Sequence, residues 1–241
     1  MKSEFISLAS HQLRTPLSAI KTYTHMLFDG YIGELSKPQK KSLSTIIRAT
    51  DRMNELISNL LNITRIESGT IAVTLKTIQL DGVAEEVIQE LSLMASSKSI
   101  DLALRVKGKG STRIRTDALV VKEVMINLVA NAIKYTPDSG KVSLTISPRP
   151  KDIIVEVSDS GWGIPKYSQD QVFSKFFRAH NVVKRETTGT GLGLYLVKGL
   201  LDALNGKIWF VSDQGKGTTF FFSLPRSRRL PKKHSHVPES S

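Results

Sequence analysis

Cysteine is absent, which excludes disulfides, a thiolate metal centre and a thiol nucleophile. That absence fits a reducing compartment, and the chain is expected to be cytoplasmic. Long apolar runs are missing too. None approaches the roughly 18 residues of a membrane span, so no membrane segment is expected in this chain. No secretory leader is visible, because Met1-Lys-Ser-Glu-Phe5 leads straight into an amphipathic helix. Acidic residues are the minority, 22 against 34 lysines and arginines, for a formal charge of +12. No helix-turn-helix, zinc-finger or RNA-recognition signature accompanies that charge, so no nucleic-acid partner is expected. A basic surface that favours a nucleotide is the better reading.

What is present divides along the chain. Residues 1–69 read as a helical hairpin. Ile6, Leu13, Leu17, Ile20, Thr24 and Leu27 form one heptad-like stripe, and Leu43, Ile46, Thr50, Met53, Ile57, Leu60 and Thr64 form another. Two lone helices cannot bury such stripes, whereas a symmetric homodimer would complete a four-helix bundle. A mixed domain follows over 70–225. Strands are expected at 71–75, 100–106, 142–147, 153–157, 207–211 and 218–224, with helices at 82–97, 117–134 and 192–204. The polar segment 165–190 is a candidate mobile lid. Residues 226–241 read as a disordered basic tail, carrying Arg226, Arg228, Arg229, Lys232 and Lys233 against Glu239 alone.

Four stretches of the mixed domain carry chemistry. In Asn127-Leu-Val-Ala-Asn131-Ala-Ile-Lys134-Tyr135-Thr136, both amides project from one helix face. Amide oxygens are hard ligands that suit Mg²⁺, and Lys134 can meet phosphate charge. Buried unpaired, the two amides would be costly, and capping or core hydrogen bonding is the alternative. Asp159-Ser-Gly161-Trp-Gly163-Ile164 follows a strand, where a carboxylate can accept a hydrogen bond from an exocyclic amine. Phe173-Ser-Lys175-Phe176-Phe177-Arg178 is an aromatic cluster in a polar loop, readable as a flap anchor or as plain packing. Gly189-Thr190-Gly191-Leu192-Gly193-Leu194 opens a helix whose N–H groups can meet phosphates. It is not a P-loop, since no Gly-Lys-Ser/Thr follows.

Upstream, His11 sits in Ser10-His-Gln-Leu-Arg-Thr-Pro-Leu17, on a polar helix face one turn before Pro16. Together, in this order, these stretches resemble the boxes of bacterial two-component sensor histidine kinases, over about residues 3–225. Ser10–Leu17 is similar to that family's phosphoacceptor box. The four later stretches are similar to its N, first G, F and second G boxes, and Gly215-Lys-Gly217-Thr218-Thr-Phe220 to its final glycine turn. The resemblance implies an α+β architecture: a two-helix hairpin forming a dimeric four-helix bundle, then an α/β sandwich of the GHKL ATPase type, a mixed sheet covered by helices. It implies ATP and Mg²⁺ as cofactors and a response-regulator receiver domain as partner. His11 would take the γ-phosphoryl group and pass it to a regulator aspartate. Asn131, helped by Asn127, would hold Mg²⁺. Lys134 would contact phosphate, Tyr135 would lie near the base, and Asp159 would read the adenine amine. Gly161, Gly163, Arg178, Gly189, Thr190, Gly191, Leu192, Gly193 and Thr218 would complete the ATP site. Thr15 holds the position that the family uses to orient water for regulator dephosphorylation.

One position departs from the family. Glu or Asp usually follows the histidine, and here it is Gln12. The amide oxygen can accept the second ring N–H and orient His11, but it is no base at neutral pH. Losing general-base help costs on the order of 10² to 10⁴ in rate. The expectation is a slowed kinase, and the alternative is a nucleotide-binding docking or phosphatase module. The chain is read as a catalytic core without its input domain, and the parent protein as one that a sensor region upstream could anchor to a membrane.

Overall fold

The computed structural model describes residues 2–178 and 190–226, without the side chains of residues 2–9 and 11. Two compact units result, Met1–Ile71 and Ala72–Ser241. The expected lid residues 179–189 and tail residues 227–241 lie outside the described residues.

The first unit is a hairpin of α1 (Lys2–Phe28) and α2 (Lys37–Glu67). Gly30 and Gly33 take the left-handed φ values of the turn, +84° and +124°. The Ser36 N–H donates to Gln39 Oε1 at 2.8 Å, and Pro38 sits in the first turn of α2, where its missing N–H costs nothing. The heptad stripe is split in two. Leu17, Thr24, Thr50, Ile57 and Thr64 are buried within the hairpin, with each threonine hydroxyl donating to the carbonyl four residues back. The alternate positions Leu13, Ile20, Ile46, Met53 and Leu60 stay open, Leu13 at 50% and Met53 at 49% exposure against 4% for Leu17.

The second unit begins with β1 (Lys76–Gln79) and α3 (Leu80–Ser96), followed by β2 (Asp101–Val106), β3 (Arg113–Thr116) and α4 (Ala118–Tyr135). Then come β4 (Lys141–Pro148), β5 (Asp152–Asp159), a 3-10 turn (Lys166–Gln171), α5 (Gly193–Ala203), β6 (Lys207–Asp213) and β7 (Gly217–Pro225). The main sheet runs β2-β4-β5-β7-β6, with β2 parallel to β4 and the other pairs antiparallel. Helices α3, α4 and α5 pack on it, burying Val87, Met125, Leu128, Ile133, Leu196 and Leu201 against Leu144, Ile146, Val155, Val157 and Phe222. This is a helix-covered mixed sheet in an α+β chain. No described helix is long and apolar enough to cross a membrane.

One expectation needs correction. Residues 71–75 form no strand; the strand is β1, just after them, paired with β3, which the periodicity did not suggest. The reason is tertiary. The Thr74 N–H is taken by the Asp117 carboxylate at 2.7 Å, so pairing starts only at Lys76. Asp117 uses its other oxygen as the N-cap of α4, accepting from Leu119 N–H (3.0 Å) and Val120 N–H (3.3 Å).

Candidate functional site

Helix α4 carries the core on one face, through Val121, Val124, Met125, Leu128, Val129, Ala132 and Ile133. The half-buried Asn127, Asn131 and Lys134 occupy the other. Asn127 Nδ2 donates to the Glu123 carbonyl at 2.9 Å. Its Oδ1 faces the start of α5, where a Cβ on Gly193 would lie 3.1 Å from that oxygen and 3.9 Å from Asn131 Nδ2. The paired amides and the open N-terminus of α5 therefore line one cradle, which a side chain at 193 would fill. The amide stretch and the second glycine stretch meet here although 62 residues separate Asn131 from Gly193.

The carboxylate expected to read the base lies at the end of β5. Asp159 Oδ1 accepts from Gly161 N–H at 2.8 Å and from Thr218 N–H, on β7, at 3.1 Å. Burial pushes the Asp159 carboxyl up to about 6, while the two N–H donors pull it down. Gly161 packs directly on the end of α4. A Cβ there would stand 2.4 Å from the Tyr135 carbonyl oxygen and 2.7 Å from Asp159 Oδ1. Trp162 N–H donates to that same Tyr135 carbonyl at 3.2 Å. Gly163 follows at φ +64° against the Asp213 carbonyl. The Lys134 ammonium lies 5.6 Å from the Tyr135 ring centroid.

The aromatic stretch divides by role. Phe173 anchors the loop edge-on against Phe210 (5.9 Å) and Phe220 (6.5 Å), on β6 and β7. Phe176 does not pack in the core. It is 67% exposed and has φ +61°, a left-handed conformation that is costly for a bulky residue. Its backbone abuts Gly191, itself at φ +71°, where a Cβ would come 2.7 Å from the Phe176 carbonyl carbon. Lys175 lies over the Tyr195 ring at 5.0 Å, and Arg178 is half-buried at the last residue described before 190. Thr190 Oγ1 accepts from Leu192 N–H at 3.3 Å, Leu192 is buried, and Gly189 lies outside the described residues.

Every described stretch expected at the ATP site thus touches another. Two further residues serve this region without a sequence signal. Ser212 Oγ accepts from Ile164 N–H at 2.8 Å and lies 2.9 Å from Thr218 Oγ1, joining the Asp159 turn to β6 and β7. Lys98 binds the end of α4. In the separate hairpin, His11 lies on α1 with Gln12, Thr15 and Pro16 exposed after it. Pro16 supplies no N–H for the Gln12 carbonyl, which loosens the helix ladder beside the histidine.

The comparisons agree with this layout. Residues 1–69 match the His Kinase A (phospho-acceptor) domain, and residues 116–228 match the histidine kinase-, DNA gyrase B- and HSP90-like ATPase family. The circadian input-output histidine kinase CikA of Synechococcus elongatus is 32% identical over 225 residues, 93% of this chain and 30% of its own length. The signal transduction histidine-protein kinase BarA of Escherichia coli K12 is 31% identical over 229 residues, 93% of this chain and 24% of its own. The chain thus spans a third or less of these two curated relatives. Among solved structures, full-length ShkA in complex with AMPPNP superposes with a TM-score of 0.77 at 25% identity, over 95% of this chain and 47% of that one. The histidine kinase ThkA, in complex with the response regulator protein TrrA, shares the fold at a TM-score of 0.61 and 23% identity, over 90% of this chain and 61% of that one.

Proposed function

The chain belongs to the sensor histidine kinases, as their catalytic core, and from that premise we propose that it phosphorylates His11 from ATP and passes the group to an aspartate of a response regulator. The observation that carries the proposal is the meeting of the Asn127–Asn131 face with Gly193, beside a carboxylate turn built on Tyr135. This donor set fits a magnesium nucleotide: hard amide oxygens, a lysine, helix N–H groups and an acceptor for an exocyclic amine.

Asp159 accepts the adenine amine, and Tyr135 borders the base. Lys134 and the α5 N-terminus face the polyphosphate, with Thr190, Gly191 and Leu192 shaping its surround, while Thr218 holds Asp159 beside the base. Asn131, assisted by Asn127, would hold Mg²⁺, which when bound would supply positive charge to offset that of the phosphates. The neutral imidazole of His11 is the nucleophile. Its nitrogen lone pair forms the N–P bond as the bond from phosphorus to the ADP oxygen breaks. Gln12 accepts the other ring N–H and fixes the tautomer, so water takes the proton that a carboxylate would otherwise draw off. Thr15 orients water for the reverse function, regulator dephosphorylation.

We assign the open stripe of Leu13, Ile20, Ile46, Met53 and Leu60 to a second copy of the chain, giving a homodimeric four-helix bundle. The proposed domains are 1–69 for dimerisation and phosphotransfer and 70–225 for ATP binding. The test is labelling with γ-labelled ATP and Mg²⁺. Acid-labile, base-stable label that is lost in His11→Ala is the expected result. ATP binding without label on His11 would leave only a docking or phosphatase module.

A further inference from the structure

Helix α4 ends inside the nucleotide site, and the last carbonyls of any helix lack helical donors. Here each is accounted for. The Ala132 carbonyl accepts from Thr136 Oγ1 at 2.7 Å. The Tyr135 carbonyl accepts from Trp162 N–H at 3.2 Å. The remaining three, on Ile133, Lys134 and Thr136, converge on one ammonium: Lys98 Nζ donates to them at 3.0, 3.1 and 2.5 Å. Lys98 lies just past α3, and its own carbonyl accepts from Ser139 N–H at 2.9 Å, so its backbone is pinned to the turn after α4. A cation at a helix C-terminus is favourable on its own. An ammonium sharing three protons among three carbonyls also fixes their relative positions.

The carbonyls that Lys98 grips bracket Tyr135. On the Tyr135 oxygen rest Gly161, whose Cβ would clash there, and the Trp162 N–H. The same Gly161 N–H holds Asp159 Oδ1. We propose that Lys98 is a positioning residue for base recognition: it sets the Tyr135 carbonyl, which seats the Gly161–Trp162 turn, which aims the Asp159 carboxylate at the adenine amine. This inference rests on the reading of Asp159 as the base acceptor. It gives α3, which touches no nucleotide, a part in choosing ATP over other nucleoside triphosphates. An arginine would not substitute, because a planar guanidinium cannot point its protons at three carbonyls around one point.

The test compares the whole chain with Lys98→Met, Lys98→Gln and Asp159→Asn, measuring affinities for Mg–ATP, Mg–GTP and inorganic triphosphate. Lys98→Met is expected to weaken ATP about tenfold and to leave GTP and triphosphate within about twofold, since misplacement of one contact acts on that contact alone. Hydrogen exchange at the Trp162 amide should quicken by about tenfold while the interior of β5 is unchanged. Lys98→Gln, which keeps two donor protons, should fall between Met and wild type, and it carries the test if the Met variant does not fold. Equal weakening of all three ligands, or an unchanged ATP-to-GTP preference with unchanged Trp162 exchange, overturns the role of Lys98. An unchanged preference in Asp159→Asn overturns instead the base reading beneath it.

Discussion

Replacing Asp159 by asparagine should stabilise the second unit while disabling it. The carboxyl pKa rises from 3.8 unfolded to about 6 folded, because burial penalises its charge. A raised acid means that the folded state binds its proton more tightly. Its favourable contribution is therefore complete below pH 3.8 and is lost as pH rises through about 6. At about 1.36 kcal/mol per pKa unit, holding the ion at pH 7 costs up to about 3 kcal/mol. An amide oxygen can still accept from Gly161 and Thr218 but carries no charge to desolvate. Asp159→Asn should thus melt near wild type at pH 4 and about 5 to 10 °C higher at pH 7.5, read from the calorimetric transition that Mg–ATP shifts in wild type. Taking the difference between the two proteins at each pH cancels every other carboxylate. The same change removes a charge-assisted acceptor for the base, worth about 1.5–3 kcal/mol, or roughly 10- to 150-fold in ATP affinity. A variant that melts at or below wild type at pH 7.5, with no pH-dependent difference, would refute the burial argument.

Other substitutions read other links. Gln12→Glu restores the carboxylate beside His11 and should raise the autophosphorylation rate by about 10²-fold or more, measured by label incorporation at saturating ATP. An unchanged rate would show that proton removal does not limit the wild-type enzyme. Gly191→Ala places a Cβ 2.7 Å from the Phe176 backbone at φ +71°, and should weaken Mg–ATP binding or lower the melting point of the second unit. If the proposed dimer forms through this stripe, Ile20→Lys with Leu60→Lys should give a monomer by light scattering while circular dichroism keeps the helices, because both side chains are exposed in the single hairpin.

The elements legible in the sequence are those whose cause is local. Helix α4 shows itself through its apolar period and Asp117 at its cap, and β4, β5, β6 and β7 through their alternation. Strand β3 escaped because Arg113-Ile-Arg-Thr116 offers one apolar residue, and its partner β1 precedes it by more than thirty positions. The stretch 71–75 alternates like a strand, yet its amide at Thr74 goes to a side chain 43 residues away. The heptad stripe was visible, but which half faces inward depends on the pairing of α1 with α2. At the site, Asn127, Asn131, Asp159 and the glycines stand in recognisable strings. Lys98 and Ser212 do not. A lysine in Ser96-Ser-Lys98-Ser is indistinguishable from a solvated one until the carbonyls it grips, 35 to 38 residues on, are folded around it.

Asp117 divides its two carboxylate oxygens between the first turn of α4 and the linker amide of Thr74. Mechanically, this places a single side chain in series between the strand of chain that leaves the hairpin and the helix that carries Asn127 and Asn131. The bond at Thr74 ties the backbone to the cap of that helix two residues before pairing with β3 begins at Lys76. One carboxylate therefore fixes both the backbone ahead of β1 and the first turn of α4, so that losing it would free both at once.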